Sequence, residues 1–229
     1  MTTFTSSVVS TTHGAAHAMT AGLAQAPVVL TVLNRRTDGG ASQLVLFKKN
    51  SAAGIDDAVL AWKVLRCPAG RDARVVVPFT QQVGVFDPRG THAGLESAFA
   101  GDHFNVADAA PGSPPGPLLA RGAGGAAIGP NMVGVHNGTA DGLLDVVLYK
   151  DGRPLCRQGA LAPGVTMVFE VLPYLHIAAC AGIAEGGPVD AATIGAAMRI
   201  SLLGLKSADL ILTGTAGNTE FKLVNQRFS

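Results

Sequence analysis

Short apolar runs recur along this chain, broken each time by Gly, Pro, Asp or Asn. They fall at 28–33, 44–48, 74–79, 82–86, 103–107, 144–150, 165–171, 175–179, 210–213 and 221–224. Many are rich in β-branched residues, and several alternate apolar with polar positions, the period of a strand with one buried face. Runs this short and this evenly punctuated predict an all-β chain of antiparallel sandwich or barrel type. Asp151-Gly152 between two such runs predicts a type I′ hairpin, because both central positions of that turn need positive φ.

Two segments have mixed periodicity. Over 56–66, Val59, Trp62 and Leu65 sit at helical spacing behind a capping Asp56, yet the same residues alternate as a strand. Over 188–203, Asp190 is a candidate cap, and Ile194, Met198 and Leu202 form a stripe at i, i+4, i+8. A short helix is expected in the second; the first stays open.

The pattern also repeats. VLNRRTDG at 32–39 precedes LVLFKK at 44–49, and VHNGTADG at 135–142 precedes VVLYKD at 146–151. Asn34, Asp38 and Gly39 correspond to Asn137, Asp141 and Gly142 at a constant separation of 103 positions. The match loosens afterwards, where Cys67 falls opposite Cys156 and Phe79 opposite Phe169, so extra residues are expected near 51–63 in the first stretch. In each copy a strand ends at Asn, Asp-Gly completes a turn, and an apolar strand returns with its aromatic in the core and its Lys in water. These six residues are therefore read as structural turn pairs. A Gly/Pro-rich stretch at 111–130 separates the copies. The expected organisation is an N-terminal arm at 1–26, a β-sandwich-like half at 27–120 and another at 121–229, standing in tandem or merged in one pseudo-symmetric body.

Composition changes this picture in one respect. Only 14% of the 229 residues are charged, against about 25% in ordinary soluble domains. A surface so poor in charge is weakly protected against association. The net charge of +1 lacks the basic excess that phosphate binding calls for, so no nucleic-acid partner is expected. The basic pairs Arg35-Arg36 and Lys48-Lys49 read as solvated strand ends. No apolar stretch approaches the ~20 residues of a spanning helix, so no membrane insertion is expected. Nor does the N-terminus show a basic region followed by an apolar one, which favours a cytoplasmic protein with non-classical export left open.

Candidate chemistry is sparse. His92, Glu96, Asp102 and His103 put imidazoles and carboxylates within twelve residues, on what reads as a loop at 91–100. They are weak metal candidates, since the spacing fits no metal motif. His13 and His17 lie at i, i+4 without a third ligand. His136 and His176 read as strand histidines. Cys67, Cys156 and Cys180 form an odd set without a CxxC pair, and a Cys67–Cys156 bridge is not excluded by sequence. There is no nucleophile elbow or phosphate loop. No catalytic residue and no cofactor are expected.

The leading expectation is a non-enzymatic structural or interaction protein whose partner is itself, assembling into an oligomer, filament, ring or crystal-like array. A small-ligand or carbohydrate-binding β-sandwich, with its site between the halves, is the first alternative. A metal-dependent enzyme using the His92–His103 segment is the second.

Overall fold

The computed structural model describes residues 26–38, 41–50, 58–110, 116–122, 127–215 and 218–229. Residues 1–25 of the expected arm at 1–26, His13 and His17 among them, and Gly39 lie outside these residues.

All ten predicted runs form strands. Strands β1 (Val28–Asn34), β2 (Ala41–Phe47), β3 (Ala58–Val59), β4 (Ala61–Pro68), β5 (Asp72–Val77), β6 (Gln81–Phe86), β7 (His92–Ala98), β8 (His103–Asp108) and β9 (Pro117–Arg121) occupy the first stretch. The second holds β10 (Met132–Asn137), β11 (Leu144–Lys150), β12 (Arg153–Leu161), β13 (Thr166–Glu170), β14 (Tyr174–Cys180), β15 (Met198–Ser201), β16 (Leu205–Thr215) and β17 (Asn218–Phe228). The protein is thus nearly all β, with helix α1 (Ala191–Gly195) the only helix among the described residues. No helix among them is long and apolar enough to cross a membrane.

Local chemistry explains several elements. β1 alternates buried and half-buried residues, as a strand with one core face must. In β2, Leu44, Val45, Leu46 and Phe47 are all buried, because Leu44 and Leu46 enter the main core while Val45 and Phe47 enter a smaller one on the opposite face. The unbroken apolar run follows from that double burial. Asp151 and Gly152 have φ of 56° and 67°, which makes the β11–β12 turn the type that Asp-Gly favours.

The short helix expected over 188–203 forms as five residues, capped by Asp190 through Thr193 N–H, before Met198 opens a strand that pairs with β14. In the mixed 56–66 segment, the described residues form β3, a bridge at Leu60 and the start of β4, so alternation prevails over helical spacing. One expectation needs correction: 91–100 is not a loop, because His92–Ala98 pairs antiparallel with β6. Its few apolar residues reflect an edge strand with little to bury.

Four sheets result, with strand orders β17-β16-β1-β5, β9-β8-β10-β13, β3-β12-β11-β6-β7 and β4-β2-β14-β15. Each takes strands from both sides of residue 120, so the stretches 27–120 and 121–229 do not close their sheets separately. The first two sheets share one scheme. In both, a parallel pair stands at the centre (β1 with β16, and β10 with β8) between antiparallel neighbours. The other two are wholly antiparallel, and β3 adds a fifth strand to one of them by pairing Val59 with Cys156. One core joins all four sheets through residues such as Leu30, Leu46, Phe104, Val135, Leu148 and Leu210.

Candidate functional site: a cavity with two buried lysines

An aromatic residue and a lysine stand at the end of each of β2 and β11: Phe47 closes β2 with Lys48 just after it, and Tyr149-Lys150 closes β11. Both lysines leave the solvent. Lys48 is 2% exposed and Lys150 is 5% exposed, which corrects the expectation that they stand in water. The reading of Arg35-Arg36 and Lys48-Lys49 as solvated pairs fails in the same way, for Arg36 is buried beside Asp38 while Arg35 and Lys49 stay outside. The cause is the strand's own geometry. A residue just past the last core position still lies over the neighbouring sheets, and a long stem can bury its methylenes there.

Each ammonium finds a backbone acceptor in the opposite stretch of chain. Lys48 Nζ donates to Leu172 O at 2.5 Å, and Lys150 Nζ donates to Pro78 O at 2.6 Å. Leu172 follows β13 and Pro78 follows β5, so the two bonds are reciprocal. Lys48 Nζ also lies 4.6 Å from the Tyr174 ring centroid, within cation–π range. The Tyr174 hydroxyl sits 2.7 Å from Glu170 Oε2 and 2.9 Å from Lys49 O.

Both amines face one cavity of about 410 Å³. Phe79, Phe99, Val171 and Leu202 supply its apolar wall, and Thr80, Gln81 and Tyr174 its polar side chains. Phe99, at 54% exposure, marks the rim. Among the described residues, the only charged side chains lining it are the two lysines. Gln81 Oε1 is buried there without a hydrogen-bond partner. Burial lowers the Lys48 amine to about 7, and the charge of Lys150 pushes in the same direction. Burial likewise lowers Lys150 to about 8. Cationic charge is thus concentrated in a largely apolar space with no carboxylate among its described lining residues, while Glu170 acts on Lys48 and Asp151 on Lys150 from outside it.

The residues singled out in the sequence are placed differently. Asn34 and Asn137 are wholly buried and make matching bonds. The side-chain amide of Asn34 donates to Cys67 O at 2.6 Å, and that of Asn137 to Leu161 O at 2.9 Å. The side-chain oxygens accept from Arg36 N–H and Thr139 N–H, both at 3.1 Å. Asp38 pairs with Arg36, Asp141 is exposed, and Gly142 takes φ of 99° while its carbonyl accepts from Asn137. They build turns around a buried amide.

His92, Glu96, Asp102 and His103 do not converge. His92 lies against the Phe86 ring and accepts from Gly94 N–H, while Glu96 is exposed on β7. Asp102 accepts from Phe99 N–H and pairs with Arg121. Among the described residues, no three His, Cys, Asp or Glu side chains gather as a metal site would require. His136 bonds Thr166, and His176 stacks on Phe47. None of Cys67, Cys156 and Cys180 forms a disulfide, so Cys67 and Cys156 are not bridged.

Sequence reasoning missed the lysine pair. The signal available was positional: Lys48 and Lys150 follow matching apolar-aromatic runs. Burial itself left no mark in the sequence, since strand-end lysines are ordinarily exposed.

No family model matches the chain, and neither a curated protein nor a solved structure matches it.

Proposed function

We propose that this protein is a binding module for a small anionic organic ligand, taken into the cavity between Lys48 and Lys150. The observation that carries this reading is the pair of buried amines in one apolar cavity with no carboxylate among its described lining residues. Each ammonium has three donors, and each gives one to a carbonyl, leaving capacity for a ligand. A bound carboxylate or phosphate would add to the partial compensation that Glu170 gives Lys48 and Asp151 gives Lys150. The volume is at the lower end for small-molecule sites, about 300–1,000 Å³.

The reciprocal lysine bonds, the matching bonds of Asn34 and Asn137 and the shared pairing scheme of two sheets support reading the two stretches as copies of one unit. On that reading the cavity lies where the copies meet. The test is a thermal-shift screen of small carboxylates, phosphates and neutral analogues. A stabilising anion whose effect disappears in Lys48→Met and Lys150→Met supports the reading, because a ligand raises stability in proportion to its affinity for the folded state. A screen in which neutral analogues stabilise equally overturns it.

Self-association is a second reading, favoured by one surface. β17 stands at the end of its sheet over eleven residues. Phe228 is exposed near its end, and Leu203 is exposed beside Gly204, which lies close to the Phe228 ring. An open edge next to exposed apolar side chains can accept a strand from a second copy. Light scattering on the intact chain tests this, and a monomer at all concentrations would remove it.

A further inference from the structure

We propose that Lys48 captures an aldehyde or ketone bearing an anionic group as an imine, while Lys150 holds the anion. This rests on the reading of the cavity as an anion site and assigns different tasks to its two amines.

The geometry separates them. Lys48 is buried and shares the Tyr174 ring with Arg199, whose guanidinium carbon lies 4.0 Å from the ring centroid, so Arg199 and Lys150 both act on it as cations, the setting in which a lysine amine becomes a nucleophile. Groups from several elements act on it: Lys150 of β11, Cys156 of β12, Glu170 of β13, Arg199 of β15, and Tyr174 and His176 of β14. Lys150, Arg199 and burial favour the neutral amine; Glu170 and Cys156 oppose them. Asp151 favours the charged form of Lys150, which makes it the cation that an anionic group would seek. Both reach the same cavity, so one short ligand can engage them together.

The step balances without a redox partner. The lone pair of neutral Nζ attacks the carbonyl carbon, forming the C–N bond as the carbonyl π pair moves to oxygen. The oxygen takes a proton and nitrogen loses one, giving a carbinolamine. Its hydroxyl then leaves as water, with one proton taken up at oxygen and one released from nitrogen, and the C=N bond forms.

The experiment uses the intact wild-type chain and glyoxylate, the smallest aldehyde with a carboxylate. Protein is incubated near neutral pH with cyanoborohydride, and the reduced adducts are mapped by peptide mass spectrometry. One carboxymethyl group on Lys48 is expected, formed at least about tenfold faster than on surface lysines, which stay protonated at this pH. Propionaldehyde, which lacks the anion, should react more slowly, and Lys150→Met should reduce the difference between the two aldehydes. Adducts spread over surface lysines, or placed on Lys150 instead, overturn the proposal. A parallel thermal-shift measurement separates the two readings. Stabilisation by glyoxylate with Lys48 unmodified removes the imine and leaves the anion site; no stabilisation by glyoxylate or any other anion, together with no adduct, removes both.

Discussion

Lys48 and Lys150 make the same bond from opposite stretches of the chain, one to the carbonyl of Leu172 and the other to the carbonyl of Pro78. Each lysine thereby ties the end of a strand in its own stretch to a connection in the other. Leu172 O also accepts from Tyr174 N–H at 2.9 Å, so Lys48 adds a second donor there, and the two lysine bonds hold both amines beside one cavity.

This arrangement predicts a particular dependence of stability on pH. Unfolded lysine titrates near about 10.4, while folded Lys48 titrates at about 7 and Lys150 at about 8. Between those limits the unfolded chain holds more protons, so stability must rise with pH; below about 7 both states are protonated and the burial penalty on Lys48 is present in full. From about pH 7 to pH 8.5, Lys48 alone should contribute a gain of roughly 2 kcal/mol. Lys48→Met should lose that slope. Its absolute stability reflects opposing effects, since the buried charge is removed but Leu172 O keeps only its Tyr174 N–H donor. Denaturant unfolding at several pH values measures the slope, and parallel slopes in both proteins would contradict it.

Asn34 and Asn137 should each be costly to replace. Asn137→Ala strips the donor from Leu161 O and the acceptor from Thr139 N–H in a wholly buried site. A loss of roughly 2–4 kcal/mol is expected for either alanine variant. Asn→Asp should do no better, because a carboxylate has no N–H to give and would be buried as a charge. Urea unfolding decides the matter, and a cost below 1 kcal/mol at both positions, roughly that of a surface change, would mean that the amides are dispensable.

Gly138 is constrained by space. A Cβ there would sit 2.9 Å from Val106 O and 2.8 Å from Asn105 Oδ1, and the first is backbone on the parallel strand β8. Gly138→Ala must therefore push β8 and β10 apart. Gly122 has open space around its Cβ position and no positive φ. The expected ranking is a loss of more than about 1 kcal/mol at Gly138 and little change at Gly122, read from melting temperatures of the two variants.

Trp62 offers a reporter for the cavity. It is the sole tryptophan, is fully buried, and donates from Nε1 to Lys150 O at 2.8 Å. An anion settling on Lys150 should alter its emission, and Lys150→Met should abolish that response. Fluorescence titration with the anion identified by thermal shift checks it; an unchanged response in the variant would place the anion elsewhere.

Much of the local structure follows from sequence patterns alone. Alternation in 28–34 determines a strand with one buried face, the unbroken Leu44–Phe47 run a strand buried on both, and Asp151-Gly152 the hairpin between β11 and β12. Asn34 and Asn137 were legible as turn residues because their side chains bond backbone within their own turns and at nearby strand ends. Strands β9 and β12 were harder to see, since Pro and Gly interrupt their apolar character. The 51–57 part of the expected insertion lies outside the described residues, but β3 from its far end joins a sheet edge.

Tertiary structure alone decided the rest. Parallel pairing of β1 with β16 joins residues far apart in the chain, and no local pattern records which distant strand completes a sheet. The interlacing of the two stretches is of that kind, and so is the fate of Lys48 and Lys150. A lysine at the end of an apolar strand carries the same signal whether it meets water or another sheet. Only the placement of Leu172 and Pro78 over those strand ends turned two ordinary lysines into buried amines sharing one cavity.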